Sequence, residues 1–221
     1  MKNNSATIAL MAVLAIGSGL AGYSFAGNGE SLSQQATSFA VKPAMSGYLT
    51  VEAFDEAGNL KAVRTSDNII TNQGENCALR MLFTSAASHA STGSTVCTGA
   101  LTSPFTWIAV GTGLTQEDAA QLQLTTESTT LGLGRAPATT VTWTNSTGSG
   151  QDTDAEIQLA KTFSVSGGSA TITEAGLFNS TLAVDTDAMF ARKTFSGVTV
   201  NDGDSLTVTW TIKVGNTTTI N

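Results

Sequence analysis

The chain is poor in charge, in aromatic side chains and in the residues that build metal centres. Of its 221 residues 12% are charged and 6% aromatic, and there are two Cys, one His and three Pro. Two thiols and one imidazole leave few ligands for a transition-metal site. Any Ser-His-Asp triad must use His89, which stands in a Ser/Ala stretch with no nucleophile-elbow pattern around it. His89 therefore reads as an exposed loop residue. Ten Lys and Arg against 17 Asp and Glu give a formal net charge of −7. A basic face able to neutralise phosphates is missing, so no nucleic-acid partner is expected. Beyond the N-terminus there is no apolar run long enough for a membrane span, and no collagen or coiled-coil pattern.

What the chain has in excess is hydroxyl. It contains 36 Thr and 22 Ser, and 41% of its residues are hydrophobic. Thr is β-branched and favours strands, so this composition points to sheets with one aliphatic and one hydroxyl-rich face. The apolar fraction is large enough to fill a core.

Residues 1–26 read as an address. Lys2 precedes the uncharged run Thr7–Gly22, and Ser24-Phe25-Ala26 places small residues where a signal peptidase cuts. The run is short for a transmembrane helix. Export is the expectation, with an extracellular or cell-surface location. The alternative is a retained N-terminal anchor, the one route by which this chain would touch a membrane. Export makes a Cys77–Cys97 disulfide the default reading. It also makes Asn145, Asn179 and Asn216, each in an Asn-x-Ser/Thr sequon, candidate glycan acceptors.

Residues 27–46 are polar, weakly patterned and contain Pro43, as a flexible leader would be. Within them Ala36, Thr37, Ser38, Phe39, Ala40 and Val41 form a short β-prone stretch. From 47 to 215 the pattern is that of strands. Gly47–Ser66 reads as a hairpin around Asp55–Asn59, and Leu206, Val208, Trp210, Ile212 and Val214 alternate with Thr207, Thr209, Thr211 and Lys213. A helix is expected near 75–86. Eight to ten strands without a βαβ rhythm predict an all-β fold: a single antiparallel β-sandwich, jelly-roll-like, with residues 216–221 as a tail.

The acids of this domain read as solvated turn residues. Asp152, Asp154 and Glu156, Asp185 and Asp187, and Asp202 and Asp204 offer hard oxygen ligands, but none matches a calcium loop, so no cofactor is expected and structural Ca²⁺ is the lesser alternative. Gly111-Thr112-Gly113 resembles part of a phosphate loop but lacks the lysine, and reads as a tight turn leaving a strand. A glycosidase carboxylate pair would want an aromatic-lined groove, whereas Trp143 and Trp210 lie on strands with core-like alternation. No enzyme is expected. Glu174 and Arg192 read as a structural ion pair.

Four blocks carry a resemblance when taken together. They are Gly47–Val51 leading to Asp67–Gly74; Trp107–Gly113; Ile172–Phe178; and Met189–Arg192 followed by Gly203–Ile212. In this order they resemble β-rich virion and tail-associated proteins of phages and archaeal viruses, and small exported surface proteins of ammonia-oxidising archaea. The resemblance spans nearly all of 27–221. It implies a structural protein and brings no catalytic residue with it. A virion protein assembled inside a cell needs no signal peptide, so the N-terminal segment favours the cell-surface branch. The expectation is an exported structural subunit that associates with itself or with other surface proteins. One mechanism is strand addition, with Ala36–Val41 as donor and the tail from Thr217 as the second candidate; the other reading is a disordered leader that only spaces the domain from the membrane. A virion or tail-fibre-like component and a glycan-binding adhesin are the alternatives.

Overall fold

The computed structural model describes residues 45–83, 104–145, 154–181 and 188–215. All of them belong to the compact unit Lys42–Asn221. Residues 1–26, expected to be a signal segment, and the Ala36–Val41 stretch, His89, Cys97, Asp152, Asp185, Asp187 and Asn216 lie outside the described residues.

Ten strands and one helix follow in the order β1 (Met45–Phe54), β2 (Leu60–Asp67), β3 (Ile69–Ile70), α1 (Asn72–Phe83), β4 (Trp107–Gly111), β5 (Ala136–Pro137), β6 (Thr140–Thr144), β7 (Asp154–Ser164), β8 (Ala170–Phe178), β9 (Met189–Val200) and β10 (Ser205–Gly215). They form two antiparallel five-stranded sheets, ordered β2-β1-β10-β7-β6 and β3-β9-β8-β4-β5. The protein is thus mostly β, with one short helix. Leu49, Val51, Phe163, Val208 and Trp210 of the first sheet share one apolar cluster with Ile108, Val110, Ile172, Leu177 and Val198 of the second. This is a sandwich-like core.

Strand order departs from a jelly roll, in which most connections pass between sheets. Here β1–β2, β4–β5, β6–β7 and β8–β9 each pair within one sheet. The first of these closes locally. Gly58 takes φ +83°, and Asp55 accepts from the backbone and side-chain amides of Asn59 at 2.7 and 2.9 Å.

The helix begins at Asn72, three residues before its expected start. Thr71 is the reason. Its hydroxyl accepts from Gly74 N at 3.0 Å and its carbonyl from Glu75 N at 3.0 Å, so it caps the first turn. Gly74 looks like a helix breaker in the sequence. In the fold it lets α1 lie on β9, since a Cβ there would stand 2.7 Å from Phe190 Cα.

The two sheets are not buried alike. Along β10 exposure alternates, with Leu206, Val208, Trp210 and Ile212 inward and Thr out. On β8 every residue from Ile172 to Phe178 is buried. Ala109, Phe178 and Met189 form a second apolar cluster with Leu124, which belongs to the connection between β4 and β5. That connection therefore covers the face of the second sheet turned away from the main core.

Candidate functional site

The covered face of the second sheet holds the most concentrated polar chemistry among the described residues. Glu174 lies opposite Gly111 on β4, and Arg192 lies opposite Gly176 on β8. Both side chains are 0% exposed, and Arg192 Nε and Nη2 donate to Glu174 Oε2 at 3.1 and 2.7 Å. The same carboxylate also accepts backbone N–H groups from the covering connection: Gly113 and Thr126 at Oε1, 3.1 and 2.8 Å, and Thr125 at Oε2, 3.1 Å. Arg192 also donates to Gln121 Oε1 at 2.8 Å, the Thr115 carbonyl at 2.9 Å and Thr125 Oγ1 at 3.1 Å. One ion pair thus ties down both limbs of residues 112–126. Five bonds on two oxygens saturate their roughly four lone-pair sites. The arrangement is a clamp, with its charges compensated within the protein.

The glycines of the Trp107–Gly113 block belong to this clamp. A Cβ at Gly111 would stand 2.7 Å from Glu174 Oε1, and one at Gly113 would stand 2.8 Å from Glu174 Cδ. The glycines leave room for a carboxylate of the chain itself. Thr173 adds a hydroxyl donor to the Gly113 carbonyl at 2.8 Å.

Two further pairs hold the same connection, and neither was expected from sequence. Arg135 Nε and Nη2 donate to Glu127 Oε1 and Oε2 at 2.9 and 2.7 Å, with the guanidinium carbon 3.5 Å from the Phe178 ring centre. Lys193 Nζ donates to Glu117 Oε1 at 2.6 Å, and the Thr194 hydroxyl donates to Glu117 Oε2. Burial pushes the Glu117 carboxyl up. The bonds from Lys193 and Thr194, with the lysine charge, outweigh this and hold it at about 2, below an ordinary 4.5.

A depressed carboxyl stabilises the fold above its unfolded pKa, and that stabilisation fades as pH falls through the folded one. Acidification from pH 5 to 2 is therefore expected to remove on the order of 1 kcal/mol through Glu117, after allowance for solvent screening. Urea unfolding of the wild type and of Glu117→Gln across this window isolates the effect from other carboxylates. Equal losses in the two proteins would refute it.

The other candidate residues are scattered. Cys77 is buried on α1 beside Ala188 and Phe105. Asn145 is exposed at the end of β6. Asn179 is 4% exposed, and its Oδ1 accepts from Ala188 N at 2.8 Å. Three of the acids weighed as calcium ligands have partners among the described residues. Glu156 binds Lys213 at 3.0 Å and Gln158 at 2.7 Å, Asp202 accepts from Gly167 N at 2.7 Å, and Asp204 pairs with Lys61. Among the described residues no group of three or more His, Cys, Asp and Glu is placed to hold a metal ion. No described helix is long and apolar enough to cross a membrane.

Trp143 also differs from expectation. It is 70% exposed and Val141 45%, while Trp210 is fully buried. Register explains the difference. Val141 lies opposite Leu159, which lies opposite Trp210, which lies opposite Leu49; Trp143 lies opposite Ile157 and through it Ile212. Cross-strand partners share a face, so Val141 and Trp143 continue the core-facing row of the first sheet. They do so on the strand that ends this sheet among the described residues, and there they are exposed.

No protein-family model matches this chain, and neither a curated protein nor a solved structure matches it.

Proposed function

We propose that this protein is an exported, non-enzymatic structural subunit of the cell surface or of an extracellular filament, and that it assembles by strand addition. The observation that carries the reading is β6. It is an outer strand of five residues, all exposed and none charged, with Val141 and Trp143 on an uncovered apolar row. An unguarded edge of this kind templates pairing with another chain. The compensated Glu174–Arg192 clamp supports a holding role over a reactive one. A single sandwich built from both sheets belongs to the same proposal, as does export.

The Cys77–Cys97 bridge is part of it too. Closing a loop of that length would contribute about 3 kcal/mol in an oxidising compartment. The exposed Trp143 favours a second reading, a surface adhesin that stacks a sugar on its indole. The virion-like alternative rests on the order of the four sequence blocks alone.

Deleting residues 27–43 tests the first reading. The parent protein is expected to form particles many subunits in size by light scattering and electron microscopy, and the deletion variant to stay monomeric. Polymers of unchanged size would defeat the idea that the leader donates a strand.

A further inference from the structure

We infer that β6 is the acceptor edge and that its occupant is the segment Ala36–Val41 of a second copy of this chain, so that subunits join head to tail through the first sheet. This rests on the assembly reading above and names the two surfaces that meet.

Four strands end the two sheets among the described residues. β3 and β5 are two residues long, and β5 contains Pro137. Neither can template a strand. β2 is longer but guarded by charge. Lys61 pairs with Asp204, and Arg64 donates to the Ser196 and Gly197 carbonyls at 3.0 and 3.3 Å. An added strand on β2 would lie against charged side chains, a known defence of sheet edges. β6 carries only Thr, Val and Trp. Its uncovered apolar row is what an incoming strand with alternate apolar residues would extend. Thr37, Phe39 and Val41 have that period-two spacing and no charge to desolvate.

Chain length decides which copy supplies the strand. Val41 is four residues before Met45, where β1 begins, so it can lie at most about 14 Å away. Met45 is level with Val214 on β10 and, through it, with Ala155 on β7, near the Thr144 end of β6. A strand added beyond β6 lies four strand spacings from β1, about 19 Å. Four residues of extended chain span less than this, so the donor proposed for the edge comes from a neighbouring subunit. Donor and acceptor leave from different parts of one sheet, and such a contact does not close on itself, so it propagates.

The rival occupant is a second β6. Read antiparallel about Thr142, Thr140–Thr144 sets Val141 against Trp143 and Thr against Thr. That contact is isologous and stops at a dimer.

The test uses the exported chain with Phe39→Asp, Thr142→Lys, Ser38→Cys and Thr142→Cys variants. Sizes are measured by light scattering, and cross-links between mixed cysteine variants by non-reducing electrophoresis. Far-UV circular dichroism checks that Thr142→Lys keeps its fold. The expected result is a polymer for the wild type and monomers for Phe39→Asp and Thr142→Lys. Cross-links are expected between Ser38→Cys and Thr142→Cys chains but not among Thr142→Cys chains alone. A folded Thr142→Lys protein that still polymerises overturns the acceptor assignment and leaves the assembly reading standing. Thr142→Cys dimers identify a second β6 as occupant and overturn the leader. A monomeric wild type overturns the assembly reading and this inference together.

Discussion

Glu174→Ala is expected to cost about 3–5 kcal/mol, because it strands a fully buried Arg192 without its counter-charge. For a chain of this size that is a fall in melting temperature of about 10 °C. The loss should be larger than for any exposed pair, since Glu174 also receives the backbone amides of Gly113, Thr125 and Thr126. Without it those amides face a gap, and the connection over the second sheet loosens. Limited proteolysis should therefore cut within 112–126 before the sheets unfold. Replacing both partners, as Glu174→Leu with Arg192→Met, is expected to recover much of the loss, because no lone charge then remains inside. Denaturant unfolding of the two single variants and the double variant gives the coupling energy. A single-variant cost below about 1 kcal/mol would show that the pair does not hold the connection.

Trp210 gives the second large effect. It is fully buried in the cluster shared by both sheets. Trp210→Ala is expected to cost about 3–5 kcal/mol through lost contacts and a residual cavity. Trp210→Phe should cost about 1–2 kcal/mol. Among the described residues the indole Nε1 has no hydrogen-bond partner, so the replacement removes a buried donor along with part of the ring. Equilibrium urea denaturation of both variants measures the two values. Similar losses for Phe and Ala would mean that the ring volume Phe restores does not set the stability here.

Much of the strand content could be read along the chain. β10 and the β1–β2 hairpin announce themselves because a half-buried strand must alternate and a tight turn needs Gly58. Helix α1 starts three residues before the sequence suggests, because Gly74 reads as a breaker where the fold uses it for close approach to β9. Trp143 was read as core, because alternation reports which face a residue is on and not whether anything covers that face. Pairing of Glu174 with Arg192 was guessable from opposite charges in apolar surroundings. Its real partners were not, since Gly113, Gln121 and Thr125 lie about 50 to 80 positions from one or the other.

Composition and periodicity settle the local chemistry of this chain: hydroxyl and aliphatic strands, scarce charge, and few groups able to react. They can do so because strand propensity and side-chain alternation act between neighbouring residues. Tertiary packing alone decides that the connection after β4 folds over β8 and β9, burying an ion pair beneath it, and that β6 ends its sheet among the described residues with its side chains exposed. Both outcomes depend on which distant strands lie side by side, a matter of sheet order that no stretch of sequence contains.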